Sequence, residues 1–474
     1  MALRPQIFRL IALLVCLVFN TMANPGGLDV VFNSGSGADG NVQAIVVQPD
    51  GKLLIAGAFG SYNGAVRNRI ARLLPDGTLD PGFNHLTGVD GTVYGMARQA
   101  DGKVVIGGNF YGLNGSNNRS IGRLDADGSP DISGNWGSNG VKTDGTVNAI
   151  TVQADGKIVI AGTFGMVNGI VRNRVARLNV DGTVDLGFDP GGGPGGTVLA
   201  LAVQPDGRIL VGGQFSLFNG VTHNPVARLN SNGALDTSFD SGPLISGYVA
   251  SINVLPGGSV LLGGGISAGS RSRMVQLTSG GALDATFNAG STINSDVIAV
   301  AVQGDGKLII GGYFSTIAGV SRPGIARLNA DGSLDASFDP GTGLNDLPYS
   351  IVLDDSGNVV VGGKFTRAGG QVRNHIARFD NLSGPSITAQ PQSLLVTAGA
   401  NAAFSVTAVG APTLAYQWRF NGADLLGENG ATLTLTNAQP PQAGDYTVVV
   451  TNAVGSVTSS VAVLTFGTAP VITL

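Results

Sequence analysis

Asp125-Ala126-Asp127-Gly128-Ser129-Pro130-Asp131 sets three carboxylates in one short loop, the look of half a calcium-binding loop. Calcium takes about six to eight oxygen ligands, so two carboxylates are too few and three are a start. The same D-G-[ST]-x-D form recurs as Asp76/Asp80, Asp181/Asp185 and Asp331/Asp335. Those copies offer two acids each, and Asp-Gly is also what a tight turn requires. Any calcium is therefore expected at Asp125, Asp127 and Asp131, and no other metal or cofactor is expected.

Other chemical signatures fail on context. Gly35-Ser36-Gly37-Ala38-Asp39-Gly40 and Gly191 to Gly196 match the dinucleotide fingerprint G-x-G-x-x-G. That fingerprint works only when a helix follows, and Val42 to Val47 reads instead as a strand. Gly265-Ile266-Ser267-Ala268-Gly269 matches a nucleophile elbow without the strand–turn–helix that exposes the serine. His85, His223 and His375 share no spacing that would hold zinc. A glycosidase pair of carboxylates needs two acids set apart from the rest. Thirty of the 31 acids are aspartates, nearly all explained by turn duty, Glu428 being the one glutamate. Catalysis is not expected.

Binding has more support. A polar spacing recurs as Asn63-Gly64-x-x-Arg67-Asn68, Asn168-Gly169-x-x-Arg172-Asn173, Asn219-Gly220-x-x-His223-Asn224 and Gly369-Gly370-x-x-Arg373-Asn374. Each copy is followed by a segment of free composition, such as 85–91, 190–196 or 340–348. Constant spacing beside variable loops is how binding surfaces are commonly built. Arg67, Asn68, Arg172, Asn173, His223, Asn224, Arg373 and Asn374 are thus the ligand-binding candidates, against a purely loop-shaping role. Trp136 joins them as a ring able to stack on a sugar, against a packing role in place of an absent phenylalanine.

The elements behind these residues repeat. Short apolar blocks, Leu53-Leu54-Ile55 and Ile70-Ala71-Arg72-Leu73 among them, are divided by Asp-Gly and Asn-Gly turns. Blocks so short and so rich in β-branched residues predict strands joined by hairpins. The first turn of each copy falls at Asp50, Asp101, Asp155, Asp206, Gly257, Asp305 and Ser356, a period near fifty. Four short strands every fifty residues describe a propeller blade. The seventh copy lacks its closing Leu-Asp-x-x-Phe-Asn segment, which stands instead at Leu28 to Asn33. The expected fold is all-β: a seven-bladed β-propeller of four-stranded blades over 24–380, closed by its N-terminal strand.

The pattern V-Q-x-D-G-K…R-N-x-[IV]-A-R-L-x-x-D-G-[ST]-[LV]-D-x-x-F-[DN] resembles the delta-60 repeat β-propeller family from about Leu28 to Asp380. The resemblance implies the fold and a secreted bacterial setting, and little chemistry. The recurring Arg72, Arg123, Arg177, Arg228, Arg327 and Arg378 precede a turn that an aspartate follows, so each pair is expected to meet across its hairpin. The fifth copy departs most, with Gly257, Ile266 and Gln276 at the usual Asp, Phe and Arg positions.

Residues 1–23 read as a secretory leader, with Arg4 and Arg9 before the apolar run Leu10 to Phe19 and Thr21-Met22-Ala23 at the cleavage positions. Cys16, the one cysteine, lies inside that run, so no disulfide or thiolate site is expected beyond it. The net charge of −4 argues against nucleic acid or an anionic membrane as partner. Residues 381–385 read as a linker, and 386–467 resemble an immunoglobulin-type domain of the I-set kind. There Trp418 would be the core tryptophan and Tyr446 the tyrosine corner, with Val406 and Val448 at the family's cysteine positions. Pro470-Val471-Ile472-Thr473 echoes Pro385-Ser386-Ile387-Thr388, so 468–474 reads as the start of a further, truncated module.

The function these readings converge on is an exported, monomeric, non-enzymatic interaction or adhesion protein. It would present a propeller face to a protein or glycan at the cell surface, without a membrane span in the mature chain. The alternatives are a secreted carbohydrate-active enzyme using the propeller channel, and a structural spacer of a larger surface protein.

Overall fold

The computed structural model describes residues 25–83, 88–115, 118–137, 140–239, 245–289, 292–381, 384–410, 413–452 and 455–467. The leader expected over 1–23, His85 and the segment 468–474 lie outside the described residues. No helix among the described residues is long and apolar enough to cross a membrane.

Each blade is an antiparallel sheet built outward from the ring axis. In blade one the inner strand Val42–Val47 pairs with the middle strand Leu53–Gly57, which pairs with the third strand Ile70–Leu73. The other six repeat this order, with middle strands Val104–Asn109, Ile158–Gly162, Ile209–Gln214, Val260–Ala268, Leu308–Gly312 and Val359–Gly363. Middle and third strands are almost wholly buried, because each blade is covered on both faces by its neighbours. That is why those blocks read as continuous apolar runs rather than alternating ones.

The expected fourth strand is smaller than the repeat length implied. In every blade it is a single bridge, such as Leu73 with Leu79 or Leu328 with Leu334. After one pair the chain turns away, because the aspartate that follows folds onto the next backbone: Asp80 Oδ1 accepts from Gly82 N at 2.8 Å. In blade seven the partner of Phe379 is Leu28, and Asp29 N donates to Arg378 O at 2.8 Å. The N-terminal segment thus completes the last blade in the predicted register. Ring closure is by side-to-side packing: the inner strand of blade one lies against that of blade seven, and Ile45 N donates to Ser350 Oγ.

The arginine–aspartate pairs meet across their hairpins as expected, at 2.6–2.8 Å for Arg72–Asp80, Arg123–Asp131, Arg177–Asp185, Arg228–Asp236 and Arg327–Asp335. Arg378 takes its aspartate, Asp29, from the N-terminal strand at 2.7 Å. Each guanidinium also donates to the next blade, at Ala126 O, Val180 O, Ser231 O, Ser279 O, Asn381 Oδ1 and Pro75 O in turn. Each lies 4.6–5.2 Å over the aromatic ring that ends its repeat. That ring packs under the next blade's turn glycine: a Cβ on Gly128 would sit 2.5 Å from the Phe83 ring, and the glycine's φ is +95°. The arginine is therefore an inter-blade staple, and the Asp-Gly turn is the seat its aromatic neighbour needs.

The C-terminal unit is the predicted sandwich. Trp418 is fully buried, its Nε1 donating to Gly430 O, and Tyr446 Oη donates to Gln442 O at 2.9 Å, the tyrosine-corner bond. Val406 and Val448 are buried in the same core, filling by packing the site a disulfide would take.

Candidate functional site

The two ends of the ring differ. One holds the Asp-Gly turns and the staples. At the other, a short hairpin follows the middle strand in blades one, three, four, six and seven, as in Ser61–Tyr62 with Ala65–Val66, and blade five extends its middle and third strands instead. The segment arriving from the previous blade pairs with that hairpin (Ala38 with Tyr62, Thr143 with Val167, Leu344 with Ala368). Aspartates there act as acceptors: Asp39 Oδ1 takes Gly60 N and Ser61 N at 2.7 and 2.9 Å. Asn294 and Asn345 do the same work in blades six and seven, so the position needs an oxygen and not a charge.

All the Arg-Asn candidates lie at this loop end. They are distributed around the ring rather than gathered. Arg67, Arg172 and Arg373 each curl back to donate to the carbonyl of the preceding residue, at 2.7, 2.8 and 3.0 Å. Arg172 is buried, with Asp189 Oδ1 at 4.0 Å. His223 packs against Phe218, with Nδ1 3.1 Å from Asn224 O. The asparagines sit at blade junctions: Asn68 O accepts from Val89 N, Asn374 Nδ2 donates to Ser36 O, and Asn173 O borders Gly193 of the next blade. This spacing shapes the loops, and what it exposes is the residue before the arginine. Arg322 in blade six holds the same position, donating to Ser321 O. It escaped the pattern because Ala318 and Pro323 replace the two asparagines. A cavity of about 370 Å³ opens beside Asn68, bordered by Arg69, Val89 and Asp90.

Two other expectations need correction. Trp136 is 1% exposed and lies under Arg123 with its Nε1 donating to Val180 O, so it takes the phenylalanine's place and has no face for a sugar. The three calcium candidates do not converge. The Lys103 ammonium stands between Asp125 and Asp131, at 2.6 and 3.0 Å, while Asp127 accepts from Ser129 within its own turn. Burial alone would raise the Asp131 carboxyl, but hydrogen bonds from Ser133 and Lys103 and the charge of Arg123 bring it down to about 2. Cations of the chain occupy the place a calcium would need.

One constellation was missed. At the loop end of blades five to seven, Tyr248 Oη and Arg273 Nη1 both donate to Asp296, each at 2.6 Å. Tyr313 follows blade six's middle strand and its N donates to Asp296 O. Lys364, the equivalent residue of blade seven, pairs with Asp346 at 3.2 Å beside Tyr349. Burial, the Asp296 hydrogen bond and charge, and the nearby Tyr313 raise the Tyr248 phenol. Burial and Tyr313 likewise raise Tyr349. Burial lowers the neighbouring His375 and keeps it neutral at physiological pH. The visible signal was three tyrosines in successive repeats, Tyr248 and Tyr349 within inner strands and Tyr313 just after a middle one.

Comparison with known proteins places the chain. A family described as a domain of unknown function (DUF5122) beta-propeller matches 48–83, 99–133, 153–188, 204–239, 256–287, 303–338 and 356–384, together half of the chain. An immunoglobulin domain family matches 384–452. Curated relatives are similar over short stretches. Kin of IRRE-like protein 3 of Mus musculus is 40% identical over 14% of this chain, and endoglucanase C of Cellulomonas fimi is 36% identical over 19%. The chain spans 9% of the length of each. Among solved structures, titin M4 is 26% identical with a TM-score of 0.17, over 18% of this chain and 98% of that one. The seven repeats, their turn residues and their staples make this chain a member of the DUF5122 β-propeller family, carrying an immunoglobulin domain after the ring.

Proposed function

We propose that the protein is exported and binds a partner at a cell surface through the loop end of its propeller, without catalysing a reaction. The observation that carries this reading is a circlet of exposed apolar side chains at the loop end, four valines on its hairpins and Tyr111 just after blade two's middle strand. Val66, Val171, Val221, Val372 and Tyr111 are each 55–68% exposed, and Arg67 and Arg373 stand half-buried beside two of them. Repeated apolar residues with basic neighbours on one face of a ring mark an interaction surface better than scattered single ones do. The absence of catalysis is supported by the carboxylates of this end, which are engaged by backbone N–H groups or by cations. The immunoglobulin domain is compatible with the same role.

The test is binding of the purified chain to cell-surface fractions, comparing it with a Val66→Asp, Val171→Asp, Val372→Asp triple variant. Saturable binding lost in the variant, at unchanged melting temperature, is expected. Equal binding by the two proteins, or none by either, would overturn the reading and leave a spacer.

A further inference from the structure

The geometry points to a carbohydrate-binding site at the loop end of blades five to seven, formed by Tyr248, Tyr313 and Tyr349 with the Arg273–Asp296 and Lys364–Asp346 pairs. It rests on the interaction reading and names the ligand class.

Three features carry it. First, the site departs from the repeat at a built position. Gly265 stands where other blades carry Ala58, Asn109, Thr163, Gln214, Tyr313 or Lys364, and a Cβ there would fall 2.3 Å from Tyr248 Cε1. The Tyr248 ring therefore lies against bare backbone, locked by Asp296 on its hydroxyl. Second, the inner strand of every blade skips one residue in its register near this end, and in blade seven the skipped residue is Tyr349. Such bulges re-aim a side chain. Tyr313 is 56% exposed and its N donates to the O of Asp296, the residue whose carboxylate holds the Tyr248 hydroxyl, while Tyr349 stands half-buried on the inner strand of the next blade.

Third, the charges cancel. Two carboxylates face two cations, and His375 is held neutral by burial. An acidic or basic ligand would meet no net field here, and an aliphatic peptide would find ion pairs instead of an apolar groove. A neutral sugar fits both halves of the site. Its C–H faces stack on tyrosine rings, and its hydroxyls find carboxylate acceptors with ammonium and guanidinium donors already oriented. Each carboxylate is tied to its own cation, which suits holding a sugar rather than protonating a glycosidic oxygen.

The experiment screens the full chain on an array of neutral hexose oligosaccharides, with polygalacturonate and heparin as acidic comparators. The variants are Tyr313→Ala and Asp296→Asn. We expect saturable binding to a neutral oligosaccharide, weakened at least about tenfold by Tyr313→Ala, whose exposed ring the fold does not need. Asp296→Asn keeps an acceptor for Tyr248 but breaks the arginine pair, and is expected to weaken binding less. Binding only to the acidic polymers, to no sugar, or equally well in Tyr313→Ala overturns the assignment. Cell-surface binding that survives Tyr313→Ala but fails in the valine triple variant would remove the sugar site and leave the interaction reading standing. Sugar binding without cell-surface binding would do the reverse.

Discussion

The junction between blades six and seven and the junction between blades five and six solve one problem in two ways. At the first, Arg327 pairs with Asp335, lies over Phe338 and donates across the seam to Asn381. At the second, Gln276 Nε2 donates to Asp284 at 3.1 Å, and among the described residues no guanidinium crosses the seam at the turn end. The tie has moved to the opposite end, where Tyr248 and Arg273 of blade five hold Asp296 of blade six. The aromatic seat survives without its arginine, since Phe287 still lies beneath Gly332. The charged cross-link can sit at either end of a seam. Where it sits at the turn end, the loop end keeps lighter links, such as Asn374 Nδ2 to Ser36 O between blades seven and one. Where it sits at the loop end, it builds a patterned surface.

The largest expected effect separates the two junctions directly. Arg327→Ala leaves a buried carboxylate with Lys307 as its one remaining cation, beside Ser337, and should cost roughly 3 kcal/mol, whereas Gln276→Ala loses one amide hydrogen bond to a more exposed carboxylate, about 1 kcal/mol. Chemical denaturation measures both, and equal costs would mean that the staple is not what holds a seam.

Acid should sharpen the same contrast. The folded Asp131 carboxyl is held near 2 against an ordinary 3.8, so its contribution is complete above the unfolded value and is lost as pH falls through the folded one. Asp335 is lowered as well, against its own burial, by Lys307, Ser337 and Arg327. Stability should drop between about pH 4 and pH 2, with roughly 2 kcal/mol from Asp131, below a separate loss that begins near the ordinary histidine range because half-buried His375 resists the proton it takes when unfolded. Asp131→Asn should flatten that limb. An unchanged slope in a pH series of melts would count against the pairing.

The smallest effect is a gain. Gln276→Arg places a guanidinium beside Asp284 and over Phe287, facing Ala330 O, the carbonyl equivalent to Ala126 O in blade two. It should add at most about 1 kcal/mol, since the loop-end tie already closes this seam. A gain as large as the Arg327→Ala loss would show that the loop-end triad carries no load, and calorimetry reads the difference.

Residues whose meaning is local were legible in advance. Asp-Gly and Asn-Gly turns, apolar blocks of four or five residues, and Leu28-Asp29 standing one period ahead of its kin specify hairpins, blade number and the closing strand. The Trp418 and Tyr446 spacing did the same for the sandwich. Each depends on backbone preferences or on pairing within one sheet, and these repeat with the sequence. Arg–Asp pairing was also readable, being a contact across one hairpin.

The candidate site was less legible, because its contacts cross between blades about fifty residues apart. Arg67, Arg172 and Arg373 looked alike in sequence, yet only the packed ring folds their guanidinium groups back onto their own hairpins and leaves the preceding valines exposed. Trp136 offered a sugar platform until the next blade covered it. Lys103 turned a calcium loop into an ion pair. Composition and period determined which strands form and how many blades close. Which carboxylate meets which cation, and which aromatic ring keeps a free face, waited on how neighbouring sheets stack, since burial and charge pairing belong to the contact and not to the residue.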